Sequence, residues 1–147
     1  MKIFFAADHA GFEIKNELLN FVKGLGFEVE DCGAYKFNSN DDYPEFVKRA
    51  AETVSKNPEN KKAIILGGSG QGEAMVANKF DNIRAAEYYG GNLEIVRLSR
   101  EHNDANVLSL GARFLSLDEA KEAVKLWLET NFSNEEKHKR RIKNIEN

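Results

Sequence analysis

The apolar residues of this chain alternate between two periods. Residues 2–7, KIFFAA, form an unbroken apolar run and read as a buried strand. Across 12–25 the apolar positions Ile14, Leu18, Phe21 and Leu25 recur at helical spacing, and Gly26 supplies the stop. Residues 27–32, FEVEDC, alternate as a strand does when one face is less buried. Helical spacing returns over 43–56 through Val47, Ala51 and Val54, with Pro44 near the first turn. KAIILG (62–67) reads as a strand, 71–80 as a helix and IRAAEYY (83–89) as a strand. A helix over 92–102 then leads to a fifth strand, ANVLSLG (105–111). Two helices close the chain, each expected to open on a capping box, Ser116 with Glu119 and Ser133 with Glu136.

Five strands joined by helices predict an α/β fold, a parallel sheet covered on both faces. In open sheets of this kind ligands sit beyond the carboxyl ends of the strands. That rule brings three polar loops to one edge: DHAG after the first strand, GGSGQGE after the third and GAR after the fifth.

Composition narrows the function more by exclusion. A chain of 147 residues is expected to be one domain, 1–147, with room for a real core. A hydrophobic share of 41% and a charged share of 31% fit a soluble globular protein, and a net charge of −3 argues against nucleic acid or membrane as a general partner. The single cysteine, Cys32, rules out an intrachain disulfide, and no Cys/His spacing suits a metal. The apolar run before Asp8 is too short for a signal peptide or a membrane span, so a cytoplasmic location is expected.

The densest chemistry lies in ILGGSGQGEAMVANK, residues 65–79, where Gly67, Gly68, Gly70 and Gly72 crowd a strand-to-helix turn. Glycines let backbone N–H groups approach a ligand, and the helix behind them favours an anion. The stretch is not GxGxxG, lacks the GK[ST] of a P-loop and is not GxSxG, which disfavours a nucleotide site or a serine hydrolase. Glu73 follows at the helix start. Alone it would be read as an acid complementing the helix dipole. Beside an anion-cradling loop, it is also placed to remove a proton next to a carbonyl while the loop holds the oxyanion.

His9, beside Asp8 at a strand end, reads as a site residue. His102 and Asn103 precede the fifth strand and so lie at the far end of the sheet, where a helix C-cap is the plain reading. If His102 is catalytic, it serves another subunit. The three histidines show no metal-binding pairing. In the basic tail, Lys137 and Arg141 stand four apart on one helix face, a spacing that suits a phosphate clamp as well as a solvated surface.

The blocks ADHAGFEIK, DYP, GGSGQGEAMVANK, REHNDANVLSLGAR and KHKRRI occur in this order across almost the whole chain. Together they resemble ribose-5-phosphate isomerase type B and its sugar-phosphate isomerase relatives. The resemblance implies a Rossmann-like α-β-α sandwich whose C-terminal helix extends to a partner subunit. It also implies a homodimer or tetramer with shared sites, and aldose–ketose isomerisation through a cis-enediol(ate) with no metal or other cofactor. Carried over by position, His102 would assist ring opening, with Asp8, and Glu73 would move the proton between C2 and C1. Ser69 and the backbone at Gly68, Gly70 and Gly72, with Asn103, would hold the enediolate. His9, Arg113, Lys137 and Arg141 would bind the phosphate, and Tyr43 would line the pocket.

Two positions depart from many relatives. Gly67 stands where they carry a cysteine base, which aligns this chain with the branch using a glutamate after the loop. Lys137 stands where arginine is common, keeping the charge but losing the bidentate fork. The expected reaction interconverts ribose 5-phosphate and ribulose 5-phosphate. The alternatives are an isomerase of a six-carbon sugar phosphate, such as allose or galactose 6-phosphate, and a non-catalytic sugar-phosphate-binding module. A nucleotide-binding flavodoxin-like domain is disfavoured by the missing fingerprints.

Overall fold

The computed structural model describes residues 1–147. Strand β1 (Lys2–Ala7) is buried on both faces, which is why its sequence shows no polar alternation. Ile3, Phe5 and Ala7 enter one core, while Phe4 and Ala6 enter another. Strand β3 (Lys61–Gly67) divides the same way, Ile64 and Leu66 against Ala63 and Ile65. With β2 (Glu28–Asp31), β4 (Ala85–Tyr88) and β5 (Val107–Gly111) they form one parallel sheet in the order β2-β1-β3-β5-β4.

Helices α1 (Phe12–Gly24), α4 (Glu94–Glu101) and α5 (Leu117–Glu129) cover the first core through Leu18, Val22, Val96, Val124 and Trp127. Helices α2 (Tyr43–Ser55) and α3 (Gln71–Ala77) cover the second through Val47, Ala51, Val54 and Ala77. The expected three-layer α/β architecture is therefore present. The chain leaves β1 for α1 on one face and β3 for α3 on the other. The crevice between those two exits is the switch point where such sheets bind ligands. No helix is long and apolar enough to cross a membrane.

Several elements are shorter than the pattern predicts. β2 and β4 are edge strands, and β4 pairs with β5 only from Ala85 to Tyr88. α3 ends at Ala77 rather than residue 80, because Lys79 and Phe80 bond back to Val76 and Ala77 in tighter turns. The capping box at Ser116 and Glu119 forms, with bonds of 3.1 and 3.0 Å. The second does not. Asn134 adopts φ 61°, so the Ser133 hydroxyl accepts from the Glu135 amide at 3.3 Å, and α6 (Glu136–Glu146) begins behind Glu135 with no side-chain cap. His138 is the one buried residue of α6, and an ion pair between Arg84 and Glu146 at 2.5 Å ties the end of this helix to the start of β4.

Candidate active site

The glycine loop is held by the strand beside it. Beyond the last paired residues, the Ala112 and Arg113 amides donate to the Gly67 and Gly68 carbonyls at 2.8 and 3.0 Å, continuing the β3–β5 ladder into both loops. Ser109 Oγ donates to the Gly70 carbonyl at 2.6 Å. Gly70 is required twice: its φ is +82°, and a Cβ there would stand 2.9 Å from the Leu110 carbonyl carbon. Ser69 Oγ accepts from the Gln71 side-chain amide at 3.2 Å, at the entrance to α3.

Glu73 lies in the first turn of α3 and is 4% exposed. Its carboxylate rests over Gly67, where a Cβ would overlap it. Burial pushes the Glu73 carboxyl above its ordinary range, and the charge of Asp8 adds to that, against a hydrogen bond to its own backbone. An acid that only complemented the helix dipole would keep its charge in water. This one is enclosed next to another acid, the setting that raises a carboxylate toward use as a base near neutral pH. Asp8 is itself buried at the end of β1, and its Oδ1 accepts from the Ala10 amide at 3.0 Å.

His9 is fixed by a residue the sequence pattern does not reveal. Asp41 Oδ1 accepts from the His9 amide at 3.0 Å and from His9 Nδ1 at 2.7 Å. A carboxylate only accepts, so Nδ1 carries a proton and the ring presents Nε2 away from Asp41. The Asp41 side chain is 7% exposed, and its Oδ2 is buried with no partner. The 32–42 connection that brings Asp41 here is pinned by the fully buried Lys15, which donates to Asp31 at 2.8 Å and to the Ala34 carbonyl at 2.5 Å. In the sequence only the DYP block, Asp42 to Pro44, singled out this segment.

Asp8, His9, Tyr43, Gly68, Ser69, Gly72, Glu73 and Arg113 line one cavity of about 370 Å³. The Tyr43 hydroxyl packs where a Gly72 side chain would be, and the Arg113 guanidinium covers Gly68 at 3.2 Å from its Cβ position. A larger depression of about 500 Å³, with Lys79, Arg84 and Asn103 in its wall, holds neither Glu73 nor the glycine loop and lacks this chemistry. His102 caps α4, as expected of a residue at the far end of the sheet, and Asn103 follows it on the surface. Lys137 and Arg141 lie exposed on α6, with Lys137 paired to Glu135 at 3.1 Å. Within one chain these four residues stand apart from the cavity.

Asp8, His9 and Asp41 place one potential metal-ligand atom each within 4.8 Å of one another. Asp41 Oδ1 and His9 Nδ1 satisfy each other, while Asp8 Oδ1 is taken by the Ala10 amide and its Oδ2 stands 4.0 Å from His9 Nδ1.

The chain resembles known proteins over almost its whole length. Residues 3–145 match the family model described as Ribose/Galactose Isomerase. Ribose-5-phosphate isomerase B from Mycobacterium tuberculosis is 37% identical over 97% of this chain and 86% of its own. The Escherichia coli protein of that name is 36% identical over 98% of this chain and 93% of its own. Among solved structures, ribose-5-phosphate isomerase B from Mycoplasma genitalium with bound ribulose-5-phosphate superposes with a TM-score of 0.94 at 36% identity, covering 99% and 93% of the two chains. The Clostridium thermocellum enzyme gives 0.92 at 40% identity, covering 99% and 95%. The chain belongs to the ribose/galactose isomerase family.

Proposed function

We propose that this protein interconverts ribose 5-phosphate and ribulose 5-phosphate, with Glu73 as the base. The observation that carries the assignment of the base is the enclosed Glu73 carboxylate over Gly67, beside the glycine loop. Glu73 takes the C2 proton of the open-chain aldose. The electron pair forms the C1–C2 double bond and the C1 carbonyl becomes the enediolate oxygen. The Ser69 hydroxyl and the amides around Gly68, Gly70 and Gly72 hold that oxygen, a contribution of about 3 kcal/mol per preorganised donor. Return of the proton to C1, with transfer of the O2 proton to O1, gives the ketose.

His9 and Arg113 bind the phosphate from this chain. A second copy supplies His102 for ring opening, Asn103 for the enediolate, and Lys137 and Arg141 for the phosphate. Two observations support a shared site: these four residues stand apart from the cavity of their own chain, and large apolar side chains lie exposed at the cavity's end of the sheet. Tyr89 and Phe114, just past the ends of β4 and β5, pack edge to face at 6.2 Å and are 56% and 62% exposed. An assembly of two or four copies buries them, with α6 contributing to the partner's site. Cys32 as a free, buried thiol fits a reducing cytoplasmic setting.

The test is incubation of EDTA-treated protein with ribose 5-phosphate in D2O, followed by NMR, with Glu73→Gln alongside. Ketose formation by wild type alone, with deuterium or internally returned hydrogen at C1, is the expected result. Binding without product would move the reading to a six-carbon sugar phosphate, tested next in the same assay, or to a binding module.

A further inference from the structure

Helix α6 is mostly charged and buries a single residue. His138 is 5% exposed, and its Nε2 is buried with no hydrogen-bond partner. Its ring stacks on that of His102, with centroids 4.2 Å apart and planes 16° from parallel. His102, by contrast, keeps 38% of its side chain exposed. One imidazole is thus enclosed and silent, while the other lies flat upon it with an edge open.

We propose that His138 is a positioning residue for His102, an uncharged ring face that holds the His102 imidazole in the plane it needs for proton transfer. The inference rests on the reading that His102 assists ring opening. In that step the C1 hydroxyl loses a proton, the C1–O4 bond breaks, the C1 carbonyl forms and O4 gains a proton. An imidazole serves it only with its nitrogens edge-on to the sugar, and a misplaced ring forfeits much of its effect. A surface histidine at a helix end rotates freely about χ1 and χ2. A flat neighbour restricts that rotation without competing for the nitrogens.

The surroundings of His138 suit the uncharged form. Burial pushes its imidazole below the ordinary range, and the neighbouring His102, Lys137 and Arg141 push the same way against Glu135. A second charge beside His102 would be repelled at stacking distance.

Ribulose 5-phosphate separates this role from a purely structural one. Its O5 carries the phosphate, so it forms no furanose and stays open-chain. Deuterium entry at its C1 in D2O therefore needs Glu73 but no ring opening. His138→Ala should slow conversion of ribose 5-phosphate by about tenfold while C1 exchange stays within about twofold of wild type. His138→Phe should keep both rates, because it keeps the flat face. In proton NMR, the His102 ring signals of wild type and His138→Phe should show an upfield ring-current shift that His138→Ala lacks.

Equal loss of both rates in His138→Ala would overturn the proposal and make His138 a mere anchor for α6. Unchanged rates would overturn it too, as would a His138→Phe variant as slow as His138→Ala. Absence of the ring-current shift in wild type refutes the stack without reference to activity. A wild-type protein that leaves ribose 5-phosphate unconverted overturns the isomerase reading itself, a distinct result from wild-type turnover that His138→Ala leaves intact.

Discussion

The Glu73 carboxylate occupies the volume that a side chain at Gly67 would need. The two positions are therefore one decision: position 67 carries a side chain of its own, or it leaves room for the acid from α3. A methyl group from Gly67→Ala forces the carboxylate aside. Activity should fall by about 100-fold, because small displacements of a reacting group are costly. Overpacking costs about 1–3 kcal/mol, so the variant should still fold. Turnover and thermal unfolding measured together check this, and full activity in Gly67→Ala would show that the carboxylate's seat is not needed.

Burial of Glu73 also links activity to stability. The folded carboxyl binds its proton more tightly than the unfolded one, whose ordinary value is 4.5. Stability is therefore lost as pH rises from there through the raised folded value, and the cost is constant above it. Glu73→Gln removes that cost. It should lose about 100- to 10,000-fold in kcat yet melt about 2–4 °C higher at neutral pH. The gain should vanish toward the ordinary glutamate range. A melting difference that ignores pH would mean that the charge is not its source.

Asp41 should act on binding more than on turnover. Hydrogen bonds to charged groups contribute about 1.5–3 kcal/mol, so Asp41→Ala should raise KM for ribose 5-phosphate by roughly tenfold or more. Asp41→Asn keeps an acceptor at the same place and should recover part of the loss. Inhibition by inorganic phosphate should weaken in parallel. An Asp41→Ala variant with unchanged KM would detach His9 from phosphate binding.

Cys32 should be inert. Burial pushes its thiol up to about 11, so thiolate is scarce at pH values where alkylating reagents work. Iodoacetamide should label the folded protein slowly and leave turnover intact, and Cys32→Ser should isomerise within about twofold of wild type. Rapid inactivation by the reagent would contradict the assignment of Glu73.

A site shared between copies predicts complementation. Glu73→Gln and His102→Gln should each be nearly inactive alone. After unfolding and co-refolding of equal amounts, half of the dimers are mixed and each has one intact site, so about a quarter of wild-type activity should return. No recovery would place His102 and Glu73 in the same chain's site.

Much of this was readable in advance because it depends on short-range pattern. The apolar runs of β1 and β3 gave away strands buried on both faces, and the strand-end rule then sorted Asp8, His9, Glu73 and Arg113 onto one edge. What escaped depends on distant contacts. Asp41 meets His9 across 32 residues, and nothing near either one announces the bond. The burial of His138 is invisible in a helix whose sequence is dominated by charge. The missing cap at Ser133 turns on the backbone of Asn134, one residue in the left-handed region.

The strand order carries a consequence for how the site comes into being. β5 is the last strand to be synthesised, yet its place lies between β3 and β4. Until Val107–Gly111 is available, β3 has an open edge and β4 has no neighbour at all. The bonds from Ala112 and Arg113 that hold the glycine loop come later still. The loop's shape is thus set by the final insertion into the sheet's interior, a long-range closure that belongs late in folding. A growing chain carries Asp8, Ser69 and Glu73 well before it can arrange them as a site.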